Sequence, residues 1–334
     1  MSTKEALTRG RRVLVTHVRL AEEAVALLHD NDVDVLYTAP YTPEEELVAK
    51  VAEWQVDAMI VRQCRLTAPV IAASKKLRVI AKHGVGVDNI DIKAAFELGI
   101  PVVRGVGSNS RAVAEMAITL AVALFKELPK LDASMKRGEW IKPNFIGRDI
   151  QGSVFGLVGF GSIGQAAAKL AAALGFRVIA HDPHGQAAID AYDPAISRSL
   201  DDLLAEADIV SLHCPLTQET REMISAPQLQ RMKPGSILVN TARGGLINEA
   251  DLCAALHFGH LGGAGLDSFA QEPPQADNPL WQAPNLMAPP HVAGVSHGAT
   301  RTMALMAAQQ VIDILNGGAP IARNRVSIAE SAAG

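Results

Sequence analysis

The sequence predicts an α/β protein built from two doubly wound parallel-sheet domains. Three observations carry that class. Short β-branched strands alternate with helical stretches from Arg11 to Ala288, a glycine-rich turn joins strand directly to helix at Gly159 to Gly164, and 334 residues supply about two domains at roughly 150 residues each. Composition agrees, since 49% hydrophobic and 20% charged residues with 27 Gly and 18 Pro are globular rather than disordered, collagenous or solenoid. A formal net charge of −4 gives no global attraction for a phosphate backbone, so no nucleic-acid partner is expected. Cys64, Cys214 and Cys253 are odd in number and far apart, which argues against a disulfide framework or a cysteine metal site and fits a reducing compartment. Met1 to Arg12 has no apolar core of a signal peptide, and the longest apolar stretch, around Ala112 to Phe125, is broken by Glu115. A soluble, cytoplasmic chain without a membrane partner is expected.

In the first half, a strand at Val13 to Val15 leads to a helix over Ala21 to His29 and a strand at Val33 to Tyr37. A second helix opens at Thr42-Pro43, with Thr as the cap and Pro in the first turn, and runs to about Trp54. Strands at Ala58 to Arg62, Val79 to Lys82 and Val102 to Arg104 follow, with helices near Pro69 to Ala73 and Ile92 to Leu98 between them. Strand-helix alternation of this kind implies a parallel sheet covered on both faces, with ligands at the carboxyl ends of the strands. Arg62 ends the third strand, and His83-Gly84-Val85-Gly86 follows the fourth, where backbone N–H groups can approach a small anion. By themselves these residues read equally well as a solvated arginine and an ordinary turn. A long apolar helix from Arg111 to about Leu128 is capped by Asn109 or Ser110, and its apolarity predicts burial on more than one side. Pro129 to Gly152 reads as an arm or linker around Trp140.

The strand Ser153 to Val158 runs into Gly159-Phe160-Gly161-Ser162-Ile163-Gly164 and then an alanine-rich helix from Gln165 to Leu174, closed by Gly175. The first glycine permits the tight turn, the second lets backbone approach a pyrophosphate, and the third allows close helix packing. The next strand, Arg177 to His181, delivers Asp182 about 20 residues on, where a carboxylate bonds a ribose hydroxyl and repels a 2′-phosphate. NAD is therefore expected as cofactor, in preference to NADP. The pattern continues with a helix at Leu200 to Glu206 capped by Ser199, a strand Ile209 to His213 and a helix around Pro227 to Met232. Strand Ile237 to Asn240, helix Glu249 to Phe258, strand Gly265 to Asp267 and strand Leu286 to Ala288 complete it.

These strand ends present Arg243, Glu272 and His291 on the cofactor side of a sheet. Singly, each reads as a turn, loop or surface residue. Together they suit the interconversion of an alcohol and a ketone beside a nicotinamide. Arg243 clamps a substrate carboxylate and polarises the adjacent carbonyl, His291 moves the hydroxyl proton, and Glu272 orients the imidazole and stabilises its protonated form. No metal is required.

The chain resembles the D-isomer-specific 2-hydroxyacid dehydrogenases, in their phosphoglycerate dehydrogenase-like branch, over nearly its whole length. The stretches that carry the resemblance are His83 to Asp91, Gly159 to Gly164, His213 to Thr217, Asn240 to Gly245, Gly265 to Asp267 with Glu272-Pro273, and Pro290 to Gly294. The resemblance implies that Arg243, Glu272 and His291 are catalytic. Around NAD it places Gly159, Gly161, Ser162, Ile163, Gly164, Asp182, Cys214, Pro215, Thr220, Thr241, Ala242, Arg243, Asp267, His291 and Gly294. For substrate it implies the N–H groups of Val85 and Gly86, with Arg62, His83, Asn109 and Arg243; His83, where relatives carry a smaller residue, adds a charge or donor for an anionic tail.

It further implies a discontinuous, flavodoxin-like substrate domain at 1–107 and 294–334 and a Rossmann NAD-binding domain at 108–293, with substrate in the cleft between them. The arm at Pro129 to Gly152 is then a homodimer contact. The implied reaction is hydride transfer between NAD and a small anionic D-2-hydroxy or 2-oxo acid such as 3-phosphoglycerate, hydroxypyruvate or glyoxylate. An NAD-sensing binding protein or corepressor on the same fold is the alternative, and the intact trio argues against it. Formate dehydrogenases resemble the chain less, since they carry Gln where Glu272 stands. No length remains for a third domain, so feedback through an appended regulatory domain is not expected.

Overall fold

The computed structural model describes residues 10–193 and 195–328. The outer ends of the expected substrate domain, 1–9 and 329–334, lie outside the described residues. The chain forms two compact units, one from residues up to Asn109 together with those from Val295 onward, the other from Ser110 to Gly294. Each contains one wholly parallel sheet.

The first unit holds β1 (Arg11–Val15), β2 (Val33–Tyr37), β3 (Ala58–Val61), β4 (Val79–Lys82) and β5 (Val102–Val103) in the order β2-β1-β3-β4-β5. This is the flavodoxin-like order, and its reversal of direction falls between β1 and β3. Alternation along each strand builds two cores. Val13, Val15, Ile60 and Ala81 pack beneath the helices Glu22–His29 and His297–Leu315, while Leu14, Met59, Val61 and Ile80 pack against Leu47, Val51, Val70 and Ala95 on the other face. The helix His297–Leu315 is capped by Ser296, whose side chain accepts from the Ala299 N–H.

In the second unit β6 (Val154–Val158), β7 (Arg177–His181), β8 (Ile196–Ser197), β9 (Ile209–Leu212), β10 (Ile237–Asn240), β11 (Gly263–Leu266) and β12 (Leu286–Met287) lie in the order β12-β11-β10-β9-β6-β7-β8. Counted from β6, this is the doubly wound Rossmann order with one further strand, reversing between β6 and β9. One face packs Phe155, Leu157, Ile209 and Val239 against the helices Ser110–Phe125 and Ser162–Leu174. The small Ala167, Ala168 and Ala171 are buried there, which lets the second helix lie close to the sheet.

Several local expectations need correction. Thr42 does not cap its helix: Pro43 occupies the cap position, and the Thr42 hydroxyl donates to the Ala39 carbonyl 2.7 Å away. The long helix ends at Phe125, not Leu128, because Glu127 takes a left-handed conformation with φ 55°. A second helix, Leu128–Lys136, then fills part of the segment read as a linker. No helix among the described residues is long and apolar enough to cross a membrane.

Candidate active site

The glycine loop of the second unit sits where the strand order reverses. Gly159 has φ 98°, and a Cβ there would stand 2.6 Å from the Cys214 backbone nitrogen at the end of the neighbouring β9. Glycine is thus required both by conformation and by the close approach of the two strand ends. A Cβ at Gly164 would stand 2.3 Å from the Gly159 carbonyl oxygen, whereas one at Gly161 would meet nothing within 4 Å. That open face, with a helix N-terminus at Ser162 lacking any side-chain cap, leaves N–H groups directed at an anion. The residues present therefore fit a dinucleotide.

Asp182 ends β7 beside this loop. Its Oδ2 accepts from the Phe160 N–H at 2.8 Å and its Oδ1 from the His184 N–H at 3.0 Å, so the carboxylate also fixes the shape of the glycine turn. Burial, with the charge of Asp182 nearby, pushes the Cys214 thiol up to about 11, and it stays protonated. Thr220 builds its own turn, donating to the Pro215 carbonyl at 2.8 Å and accepting from the Thr217 N–H at 2.7 Å. Ser162 accepts from the Ser110 hydroxyl at 3.0 Å. Thr241 Oγ1 is buried with no protein partner among the described residues.

Of the three residues expected to act together, His291 and Glu272 are in contact, and the charge of Arg243 reaches Glu272. At the end of β10 the Asn240 side chain closes the turn, donating to the Arg243 carbonyl at 2.8 Å and accepting from the Ala242 N–H at 3.0 Å. His291 Nδ1 lies 2.6 Å from Glu272 Oε2, and Glu272 Oε1 accepts from the Phe269 N–H at 3.0 Å. Burial pushes the Glu272 carboxyl up, but His291, the Phe269 N–H and the charge of Arg243 outweigh it and hold it below the ordinary carboxylate value. Since an ionised carboxylate only accepts, Nδ1 carries the ring proton and Nε2 is left to exchange one. His291 itself has φ 55°, a conformation unusual for a side-chain-bearing residue.

Asp267, expected beside NAD, performs a structural task the sequence did not reveal. It is 1% exposed, and its two carboxylate oxygens accept from the N–H groups of Val292 at 2.9 Å and Ala293 at 2.7 Å. It thereby pins the backbone that follows His291. Burial raises its carboxyl above the usual range despite those two donors.

In the first unit the loop after β4 is tied to the end of β3. Lys82 Nζ donates to the Arg62 carbonyl at 3.1 Å and to Asn89 Oδ1 at 2.6 Å, and the Asn89 amide donates to the carbonyls of Arg62 and Cys64 at 3.0 and 2.7 Å. Among the described residues the N–H groups of Val85 and Gly86 donate to no protein acceptor. Asn109 Oδ1 is buried and likewise without a protein partner among the described residues. His83 does not supply the expected charge. It is 7% exposed, and burial, followed by the charges of Arg62 and Lys82, pulls it down to about 3, so the ring is neutral.

Three residues not anticipated join Arg62. Arg62 Nη1 donates to the Arg19 carbonyl at 3.3 Å, the Arg19 N–H donates to His17 Nδ1 at 3.2 Å, and the Arg62 N–H donates to the Thr16 hydroxyl at 2.8 Å. The cluster lies at the β1/β3 reversal, the usual ligand position of an open α/β sheet. Neither Arg19 nor Arg62 is paired with a carboxylate among the described residues, and Glu23 nearby is bound to Arg301 at 2.7 Å.

Residues 118–293 match the family model described as the NAD binding domain of the D-isomer specific 2-hydroxyacid dehydrogenases. The chain is 36% identical over 310 residues to the D-3-phosphoglycerate dehydrogenase of Archaeoglobus fulgidus, covering 92% of this chain and 58% of that protein. It thus spans little more than half the length of that relative. It is 37% identical over 295 residues to the hydroxypyruvate reductase of Thermotoga maritima, covering 87% of this chain and 94% of the relative. Among solved structures, the TT0316 protein of Thermus thermophilus superposes with a TM-score of 0.83 at 37% identity, covering 95% of this chain and all of the other. The glycine loop, the paired histidine and glutamate, and the strand orders thus occur in a chain that belongs to the D-isomer-specific 2-hydroxyacid dehydrogenase family.

Proposed function

We propose that the protein is an NAD-dependent dehydrogenase of a small D-2-hydroxy acid, equally able to reduce the matching 2-oxo acid. The observation that carries this reading is the 2.6 Å contact of His291 Nδ1 with Glu272, beside the charge of Arg243. NAD accepts or supplies the hydride when bound. The Gly159 to Gly164 loop, Asp182, Cys214, Pro215, Thr220, Thr241, Ala242, Asp267 and Gly294 are the residues we assign to holding it. His291 Nε2 takes the hydroxyl proton in oxidation and returns it in reduction, while Glu272 keeps the ring in the required tautomer. Arg243 binds the carboxylate and draws charge onto the reacting oxygen as it develops. A protein that only sensed NAD would have no use for an imidazole held against a carboxylate.

For substrate we assign the N–H groups of Val85 and Gly86 to a carboxylate, with Asn109 and the neutral ring of His83 as neighbouring polar groups. Arg62, with Arg19 and His17, favours a substrate that carries a second anion, since two guanidinium groups at one strand reversal, neither paired with a carboxylate among the described residues, suit a dianion better than a single carboxylate. The test is a panel of 2-oxo acids assayed with NADH. A phosphorylated oxo acid should exceed an uncharged analogue by at least about tenfold in kcat/KM, from one or more charge-assisted hydrogen bonds. No turnover of any 2-oxo acid would overturn the dehydrogenase reading, and equal kcat/KM values would overturn the second anion.

Asp182→Asn, which keeps an acceptor for the Phe160 N–H but removes the charge, should narrow the preference for NAD over NADP by about tenfold. An unchanged ratio would show that another group sets it. The three cysteines are free thiols, in keeping with our placing the protein in a reducing cytoplasm.

We also propose a homodimer through the segment after the long helix. Met135 and Trp140, 53% and 67% exposed, line an apolar hollow of about 200 Å³, and Ile146 in the same segment is 92% exposed. Large apolar groups left together at a surface mark an interface. Sedimentation should give twice the 35.3 kDa chain mass, and Trp140→Arg combined with Ile146→Asp should give monomers. A monomeric wild type would remove this assignment.

A further inference from the structure

We propose that Glu249 is a positioning residue for the His291 and Glu272 pair, acting by bracing the loop that presents Glu272. Its consequences for turnover rest on the dehydrogenase reading above; the brace itself does not.

Glu249 is the first residue of the helix Glu249–His257, which opens at Asn248 five positions after Arg243. Its carboxylate turns away from the helix. Oε1 accepts from the Ala270 N–H at 2.7 Å and Oε2 accepts from the Asn278 side-chain amide at 3.2 Å. These donors stand at the two ends of the segment from Ala270 to Asn278, so one side chain clamps both ends. Asn278 is fixed in turn, its Oδ1 accepting from the Leu280 N–H at 2.9 Å. Between the clamped ends Gln271, Glu272 and Pro273 are exposed, with no sheet or helix to define their course.

The clamp matters because of the peptide it holds. Two successive N–H groups are fixed by two carboxylates, that of Phe269 by Glu272 and that of Ala270 by Glu249. This peptide lies directly on Gly244: a Cβ there would fall 1.9 Å from the Phe269 carbonyl carbon. Gly244 follows Arg243 in the chain, so a single seated peptide sets Glu272 relative to both Arg243 and His291. Preorganised groups need this kind of support, because a loop carrying a reacting constellation on exposed backbone otherwise samples other positions. A carboxylate suits the task since both partners are donors. Glutamine would keep the bond to the Ala270 N–H but oppose its own amide to that of Asn278.

The test is Glu249→Ala and Glu249→Gln, each made alone and in a Glu272→Gln background. Glu249→Ala should lower kcat about tenfold, Glu249→Gln about threefold, with NADH affinity within about twofold of wild type. In the Glu272→Gln background, Glu249→Ala should cost less than about twofold more, because a residue that acts through Glu272 has nothing left to position. A full additional tenfold loss there would overturn the proposal. Hydrogen exchange provides a readout independent of turnover. The Ala270 amide should exchange at least about tenfold faster in Glu249→Ala, and to a lesser degree in Glu249→Gln, with the β10 amides unchanged. An unaltered Ala270 rate in Glu249→Ala overturns the brace; should that variant not fold, an unaltered kcat in Glu249→Gln does so. If the wild type reduces no 2-oxo acid, the dehydrogenase reading fails and the exchange result alone decides the brace.

Discussion

His291→Ala is expected to lower kcat by about 10³-fold while NADH titration is unchanged, the middle of the range for losing a positioned acid or base. The geometry identifies the working atom. Nδ1 is held by the Glu272 carboxylate at 2.6 Å, so only Nε2 is available to exchange a proton with the reacting oxygen. The backbone singles the residue out as well. With φ 55°, His291 occupies a region that suits Gly or Asn, and the neighbouring N–H groups of Val292 and Ala293 are both bound by the buried Asp267. His291→Asn is therefore the better control, since it tolerates the same φ while removing the imidazole. Both variants should lose turnover alike. Retention of more than about a tenth of wild-type kcat in either would assign the proton transfer to another group.

How much of this was legible in the sequence depended on whether a constraint was local. The glycine loop was readable because backbone geometry at Gly159 and the close approach at Gly164 admit no other residue, and the strand, helix and Asp182 follow in sequence. Arg243, Glu272 and His291 were readable as strand-end chemistry. What escaped was set by strand order or by burial. Nothing local says that β1 lies beside β3, so Arg19 and His17 could not be joined to Arg62, 43 positions from Arg19. Nor does a histidine before Gly84 disclose that its ring is buried and neutral. The structural task of Asp267 was hidden because the N–H groups bound by its two oxygens lie 25 and 26 residues ahead. Glu249 passed as a helix first-turn acid, a role in which acids are favoured anyway by the helix dipole. The end of the long helix was missed for a different reason: Lys126 and Glu127 are good helix formers and Leu128 keeps helical spacing from Leu124, while the left-handed Glu127 that stops it has no strong residue signal.

Arg243→Ala is expected to reduce kcat/KM by about 10³-fold, from two charge-assisted hydrogen bonds of about 2 kcal/mol each at 1.36 kcal/mol per tenfold in rate. Unlike the His291 variants, it should both raise KM and lower kcat, because a guanidinium that binds the carboxylate in the ground state also meets charge that grows on the reacting oxygen. Arg243→Lys should recover less than about tenfold, since an ammonium supplies a point charge without the planar fork. An indirect route through Glu272 is too small to account for the loss. Burial raises the Glu272 carboxyl, and of the groups that bring it back below its ordinary value, His291 and the Phe269 N–H both contribute more than Arg243. Without Arg243 the Glu272 carboxyl therefore keeps its main stabilising partners, remains ionised at neutral pH and continues to hold His291 Nδ1. The backbone turn should survive too, because Asn240 grips the Arg243 carbonyl and the Ala242 N–H, although the bond from Arg243 Nη1 to the Ala242 carbonyl at 2.8 Å is lost. The loss should thus be larger with carboxylate substrates than with the matching ketones, which keep only the contact to the reacting oxygen. A variant whose kcat/KM falls equally for a 2-oxo acid and for the ketone lacking its carboxylate would show that Arg243 acts on something other than the substrate anion.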